Sequence, residues 1–216
     1  MPVQVHDDTA LITGEQLSEY LLCQNAEGRF STWEKTVARI ALQSDETFPA
    51  KDAVVQLPDT EAEGESVADG SALPLDIIPF ALSVIWRASV STLFPKVSLG
   101  NRYNEEFRRF LVGDTAVPSN VRLFVSIVNV NATPRIDRVV IPPDTLRVNG
   151  FHTHQFGHFG FYFHVIVGGQ PPILDRFCFI RTQRVILSDG TRMLKSAART
   201  LIKATPKGKL GRRPKP

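Results

Sequence analysis

The segment PLDIIPFALSVIWRASVSTLF, residues 74–94, constrains the fold more than any other part of the chain. From Ile77 to Val90 it is apolar on nearly every face, so a helix here must run through the centre of a domain. It is too short to cross a bilayer and carries Arg87 near its middle, which argues against a membrane partner. Asp76 is placed to cap its start, Pro79 falls in its first turn, and Pro95 ends it. Arg87 needs a buried carboxylate or carbonyls as partners, and a role in holding a substrate anion is the alternative.

The residues around this helix divide into two patterns. Before it, the first forty residues read as helical. Leu17, Tyr20, Leu21 and Leu22 recur at helical spacing, Gly28 interrupts, and Phe30, Trp33, Val37, Ile40 and Leu42 form a second stripe. Ser31 and Glu34 have capping-box spacing, which predicts that the second helix starts there. Residues 44–72 are acidic and turn-rich, and read as a surface linker with a short strand over 53–57. After the central helix, Tyr103, Phe107, Phe110 and Leu111 predict another helix, which Gly113 terminates.

From residue 121 the period changes to that of strands. VRLFVSIVNV, then IDRVVI stopping at Pro142 and Pro143, then LRVNGFHTHQF and HFGFYFHVIVGG, predict four strands. RFCFIRTQRVIL predicts a fifth, or a fifth and a sixth. Helices first and an antiparallel meander after make an α+β fold, with N-terminal helices and the buried central helix packed on the sheet. The expected organisation is a helical segment over 1–43, an acidic linker over 44–72, an α+β core over 73–190 and a basic helix with a disordered tail over 191–216.

Charge is segregated along the chain. Positions 176–216 carry twelve basic residues against Asp189 (net +11), while positions 1–175 carry thirteen basic and twenty-one acidic residues (net −8). A polycationic arm on an acidic body points to a polyanionic partner, DNA or RNA above all. Lys195, Arg199 and Lys203 recur every four residues on a predicted last helix that also holds Arg192. Lys207, Lys209, Arg212, Arg213 and Lys215 then alternate with Gly and Pro in an arm suited to phosphate contact. Two cysteines, Cys23 and Cys178, provide no disulfide framework, and the N-terminus has no secretory pattern, so a reducing, cytoplasmic setting is expected.

YLLCQNAEGRFSTWE, ALSVIWRASVS, SLGNRYNEEFRRFLVGD and, more weakly, NGFHTHQFGHFGFYFHVIVGG together resemble a group of uncharacterised bacterial proteins with an HNH-like or treble-clef zinc N-terminus. The resemblance implies ancestral contact with nucleic acid and, loosely, a mobile-element or defence locus. In that group the segment matching LLCQNAEGRFSTWE carries a C-x-x-C knuckle. Here Cys23 is followed by Ala26 at the second position, and Cys23 with His6 supplies at most two nearby ligands of the four zinc requires. The resemblance therefore implies a degenerate zinc finger, with no catalytic residue of the nuclease kept.

Four of the five histidines, His152, His154, His158 and His164, lie at even positions within one stretch. An unbroken strand would place all four on one face, and an H-x-H pair can chelate a divalent transition metal. His152 and His154 are the pair expected to bind one. Against this, Gly157 and Gly160 break the strand into a hairpin, and no second ligand motif follows. The plainer reading has the histidines on the wetter face, with Phe159, Phe161, Phe163 and Val165 toward the core. Glu105 and Glu106 point in different directions on one helix and make a poor acid/base pair.

The reading that results is a non-enzymatic nucleic-acid- or nucleoprotein-binding accessory protein acting through its basic C-terminal arm, with no cofactor. A metal-dependent enzyme built on the histidine hairpin, and an interaction module whose acidic segment 59–69 binds a basic protein partner, are the alternatives.

Overall fold

The computed structural model describes residues 3–6, 9–12, 22–44, 47–58, 65–94, 96–128, 140–148, 151–168 and 172–190. The fold is α+β, as the change of period at residue 121 predicts. A two-stranded hairpin, β1 (Val3–His6) and β2 (Thr9–Ile12), comes first, where the sequence reads as helical. Then follow α1 (Gln24–Ile40), α2 (Pro49–Ala53), β3 (Val55–Gln56) and β4 (Glu65–Asp69). The central helix α3 (Ile77–Val90) and the amphipathic α4 (Gly100–Val112) precede β5 (Val121–Val128), β6 (Ile141–Val148), β7 (Phe151–His158) and β8 (Phe161–Val167). A 3-10 turn (Pro172–Phe177), α5 (Phe179–Thr182) and β9 (Arg184–Ser188) complete the described chain.

The central helix spans the apolar run Ile77–Val90 but ends with its cap at Ser91, before the expected stop at Pro95 is reached. Ile77, Ala81, Leu82 and Ile85 are completely buried. Each large one contributes about 1.5–3 kcal/mol by leaving water. Asp76 stands at the N-cap without a side-chain hydrogen bond to the helix. Helix α1 starts earlier than the capping-box spacing predicts: Ser31 lies inside it and Gly28 does not interrupt it. One glycine costs a helix only about 1 kcal/mol, and burying Phe30 and Val37 on one face outweighs that. Helix α4 ends as expected, with Gly113 in the left-handed conformation at φ 89°.

The seven-stranded sheet has the order β3-β4-β9-β5-β8-β7-β6. It is antiparallel except for β5 and β9, which run parallel, so it is not a simple meander. Two local readings change for physical reasons. RFCFIRT is not strand: it forms the end of the 3-10 turn and α5, a crossover that carries the chain from β8 past β5 to β9. The strand after residue 140 does not stop at Pro142 and Pro143 but contains both. β6 is an edge strand, where a missing N–H costs no ladder bond, and its register shifts between Ile141 and Asp144. Residues 44–72, read as a linker, contribute β4, whose centre is buried between β3 and β9.

Cross-strand register assigns the faces. Val125 opposes Phe163 and Ile127 opposes Phe161 on the face that packs with α1, α3 and α4 in one core. Phe80 of α3 meets the stacked pair Phe156 and Phe163 edge-on. The other face carries Arg122, Phe124, Ser126, Thr153, Gln155 and Tyr162, all buried. Among the described residues no helix is long and apolar enough to cross a membrane. Leu82→Ala, at the buried middle of α3, should cost about 2–5 kcal/mol of stability, measured by urea denaturation.

Candidate functional site

The hairpin of β7 and β8 sorts the four histidines by strand parity and by its turn. His154 pairs with Val165 and His158 with Phe161, on the helix-facing side. His152 shares their parity on β7. His164 pairs with Gln155 and so points to the opposite face. The two-residue turn Phe159–Gly160 causes this reversal, which an unbroken strand would not show. Phe161, Phe163 and Val165 are buried in the core as expected, but Phe159 sits in the turn and is 44% exposed.

The candidate metal pair is split by environment. His152 is exposed, whereas His154 is completely buried, with Nδ1 2.8 Å from Thr145 Oγ1. Its Nε2 is enclosed and has no hydrogen-bond partner among the described residues. Burial pushes the His154 pKa down to about 4, and neighbouring His152 adds to the effect. The imidazole is therefore neutral at pH 7, held by packing and one hydroxyl. Among the described residues no group of three or more His, Cys, Asp or Glu side chains is placed to hold a metal ion. Cys23 is exposed at the N-cap of α1, with Ala26 in the first turn, and Cys178 is buried.

On the far face a polar cluster surrounds Tyr162. Its hydroxyl donates to Gln155 Oε1 at 2.5 Å, and the His164 ring meets the Tyr162 ring edge-on with centroids 4.6 Å apart. Burial, reinforced by Asp144, raises the Tyr162 pKa to about 12, and burial lowers that of His164 to about 4. Arg122 forms an ion pair with Asp175 at the edge of this face. Glu105 and Glu106 are not a catalytic pair: they bind Arg108 and Arg102 along α4.

Between α1, α3, the start of β6 and the β7–β8 turn lies a groove of about 640 Å³. Arg87 lines it and binds Glu34 of α1 at 2.7 Å, with its guanidinium over the Phe30 ring. The carboxylate expected for Arg87 is thus present, but it is partly exposed, and such a pair stabilises by no more than about 1 kcal/mol. His158 and Phe159 form the other rim. Burial lowers the His158 pKa, and Glu34 opposes the shift. Sequence reasoning did not single out Glu34 or Phe159 as groove residues. The available signal was an X-Gly dipeptide between two alternating runs, with Phe where a tight hairpin favours Asn or Asp.

The nine expected phosphate-binding residues, Arg192, Lys195, Arg199, Lys203, Lys207, Lys209, Arg212, Arg213 and Lys215, lie outside the described residues. Three other arginines of the basic run are described. Arg176 stacks over Phe177, Arg181 donates to the Ser119 carbonyl, and Arg184 donates to the Arg176 carbonyl. Comparison of the chain with models of known protein families, with curated proteins and with solved structures gives no match.

The buried histidines make stability depend on pH. The unfolded chain takes up protons below about pH 6.5 that folded His154 and His164 refuse until about pH 4. Stability should therefore be complete above pH 6.5 and fall as the pH drops toward 4. His154 contributes up to about 1.4 kcal/mol per pH unit in that window. His154→Gln should reduce the slope, as measured by urea unfolding at pH 7, 6 and 5.

Proposed function

We propose that this chain is a non-enzymatic accessory protein that binds nucleic acid or a nucleoprotein through its basic C-terminal segment, in a reducing, cytoplasmic setting. The observation that carries this reading is the charge segregation: net +11 after residue 175 against net −8 before it. The three described arginines of the basic run support a narrower version. Each already makes one contact in or beside the crossover between β8 and β9, so we assign most of the phosphate contacts to the nine basic residues after position 190. Strand β9 separates the two groups. Arg184 stands at one end opposite Asp69, and Ser188 stands about 13 Å away at the other, opposite Glu65.

The resemblance to proteins with an HNH-like N-terminus rests on the quoted residues and adds ancestry to this reading, not a reaction. The metal-dependent alternative gains no support from His152 and His154, whose environments differ as described. An interaction through the acidic segment 59–69 is a separate reading, set back by the burial of residues 66–68 within β4, and it predicts a protein complex that persists without the basic segment.

The test compares the full chain with a chain ending at Gly190, by fluorescence anisotropy on duplex DNA and on single-stranded RNA. If six to eight charges meet phosphates, affinity of the full chain should fall by about three to five decades between 50 and 200 mM salt. The shortened chain, which keeps β9 intact, should retain its melting temperature and lose binding. Equal binding by the two chains overturns the proposal.

A further inference from the structure

We propose that the groove between α1, α3 and the β7–β8 turn binds a small uncharged amphipathic molecule: an apolar chain or ring with one neutral hydrogen-bonding head, such as an amide or alcohol. The volume of about 640 Å³ lies within the range of roughly 300–1,000 Å³ usual for small-molecule sites. Its lining is mostly apolar, with Phe80, Val84, Ile141 and Phe159 among the side chains that keep accessible surface there. On the α1 side, Ala38 and Ala41 add little bulk, so the space between helix and sheet stays open.

The charges in the groove select the head. Glu34 and Arg87 are paired and sum to zero. Arg87 uses one amino group for Glu34, and its remaining N–H groups have no hydrogen-bond partner among the described residues. A head that accepts from Arg87 and donates to Glu34 satisfies both. A carboxylate would gain from Arg87 and lose to Glu34, and an ammonium the reverse, so a charged head meets no net attraction to offset the hydration it gives up. At the His158 rim, partial burial lowers the imidazole pKa, against the pull of Glu34, and so disfavours a positive charge there.

The turn supplies an independent argument. Phe159 has φ 38°, a left-handed conformation that a bulky side chain rarely adopts and that hairpin turns usually assign to Asn, Asp or Gly. It is held there by hydrogen bonds from Leu42 N to the Phe159 carbonyl and from Val128 N to the Gly160 carbonyl. The ring adds little to the core, since it is 44% exposed at the groove rim. An aromatic ring kept in a disfavoured conformation and left half in water is explained when it contacts a ligand's apolar body.

The experiment titrates the full chain with the neutral fluorophore N-phenyl-1-naphthylamine, then displaces it with octanamide, octanoate or octylammonium. Saturable one-to-one binding is expected, with octanamide displacing the probe about tenfold better than either charged analogue. Ala38→Trp, at an exposed position of α1, should fill the mouth and weaken probe binding about tenfold without lowering the melting temperature. Phe159→Asn should weaken probe binding while keeping or raising the melting temperature, because Asn suits the turn. Absence of saturable binding, binding unchanged in both variants, or equal displacement by the charged analogues overturns the proposal.

Discussion

The structure depends on the seating of one apolar helix against one aromatic strip of the sheet. Phe80 of α3 fits edge-on to Phe156 and Phe163, which stack on each other across β7 and β8. Because α3 is apolar nearly all round, α1 and α4 must flank it, and both do. Aromatic side chains carry more buried area than any others, and their edge-to-face geometry fixes orientation as well as proximity. The groove follows from this arrangement: where Ala38 of α1 and Ala41 just beyond its end face the strip, the helix and sheet do not close on each other.

Much of this was legible in the sequence because periodicity reports which face is buried. The span of α3, the left-handed Gly113 and the shift to strands at residue 121 were all readable that way. What escaped depends on partners distant in sequence. Residues 65–69 look like part of an acidic linker until β9, more than a hundred residues later, pairs with them. Pro142 and Pro143 looked like a stop because edge position, which makes them harmless, is not visible locally. RFCFIRT has the composition of a strand, but the crossover from β8 to β9 requires it to turn.

The candidate sites divide along the same line. The even spacing of the histidines was visible, but their separation depends on a two-residue turn that sends His164 to the other face. The Glu34–Arg87 pair joins residues far apart in the chain, and only the packing of α1 on α3 brings them together. The charge segregation, by contrast, needs no fold to be read. The two proposed recognition modes differ in kind: one in the basic segment would be long-range and salt-sensitive, the other in the groove short-range and shape-dependent.

The position of β9 has a consequence for how the chain is made. It is the last described strand, yet it lies between β4 and β5 and joins β3-β4 to the remaining four strands. A nascent chain that has not yet emerged to Ser188 holds two part-sheets, each with a bare edge that should have been interior. Such edges are templates for pairing between chains, so the interval before β9 arrives is when aggregation competes with folding.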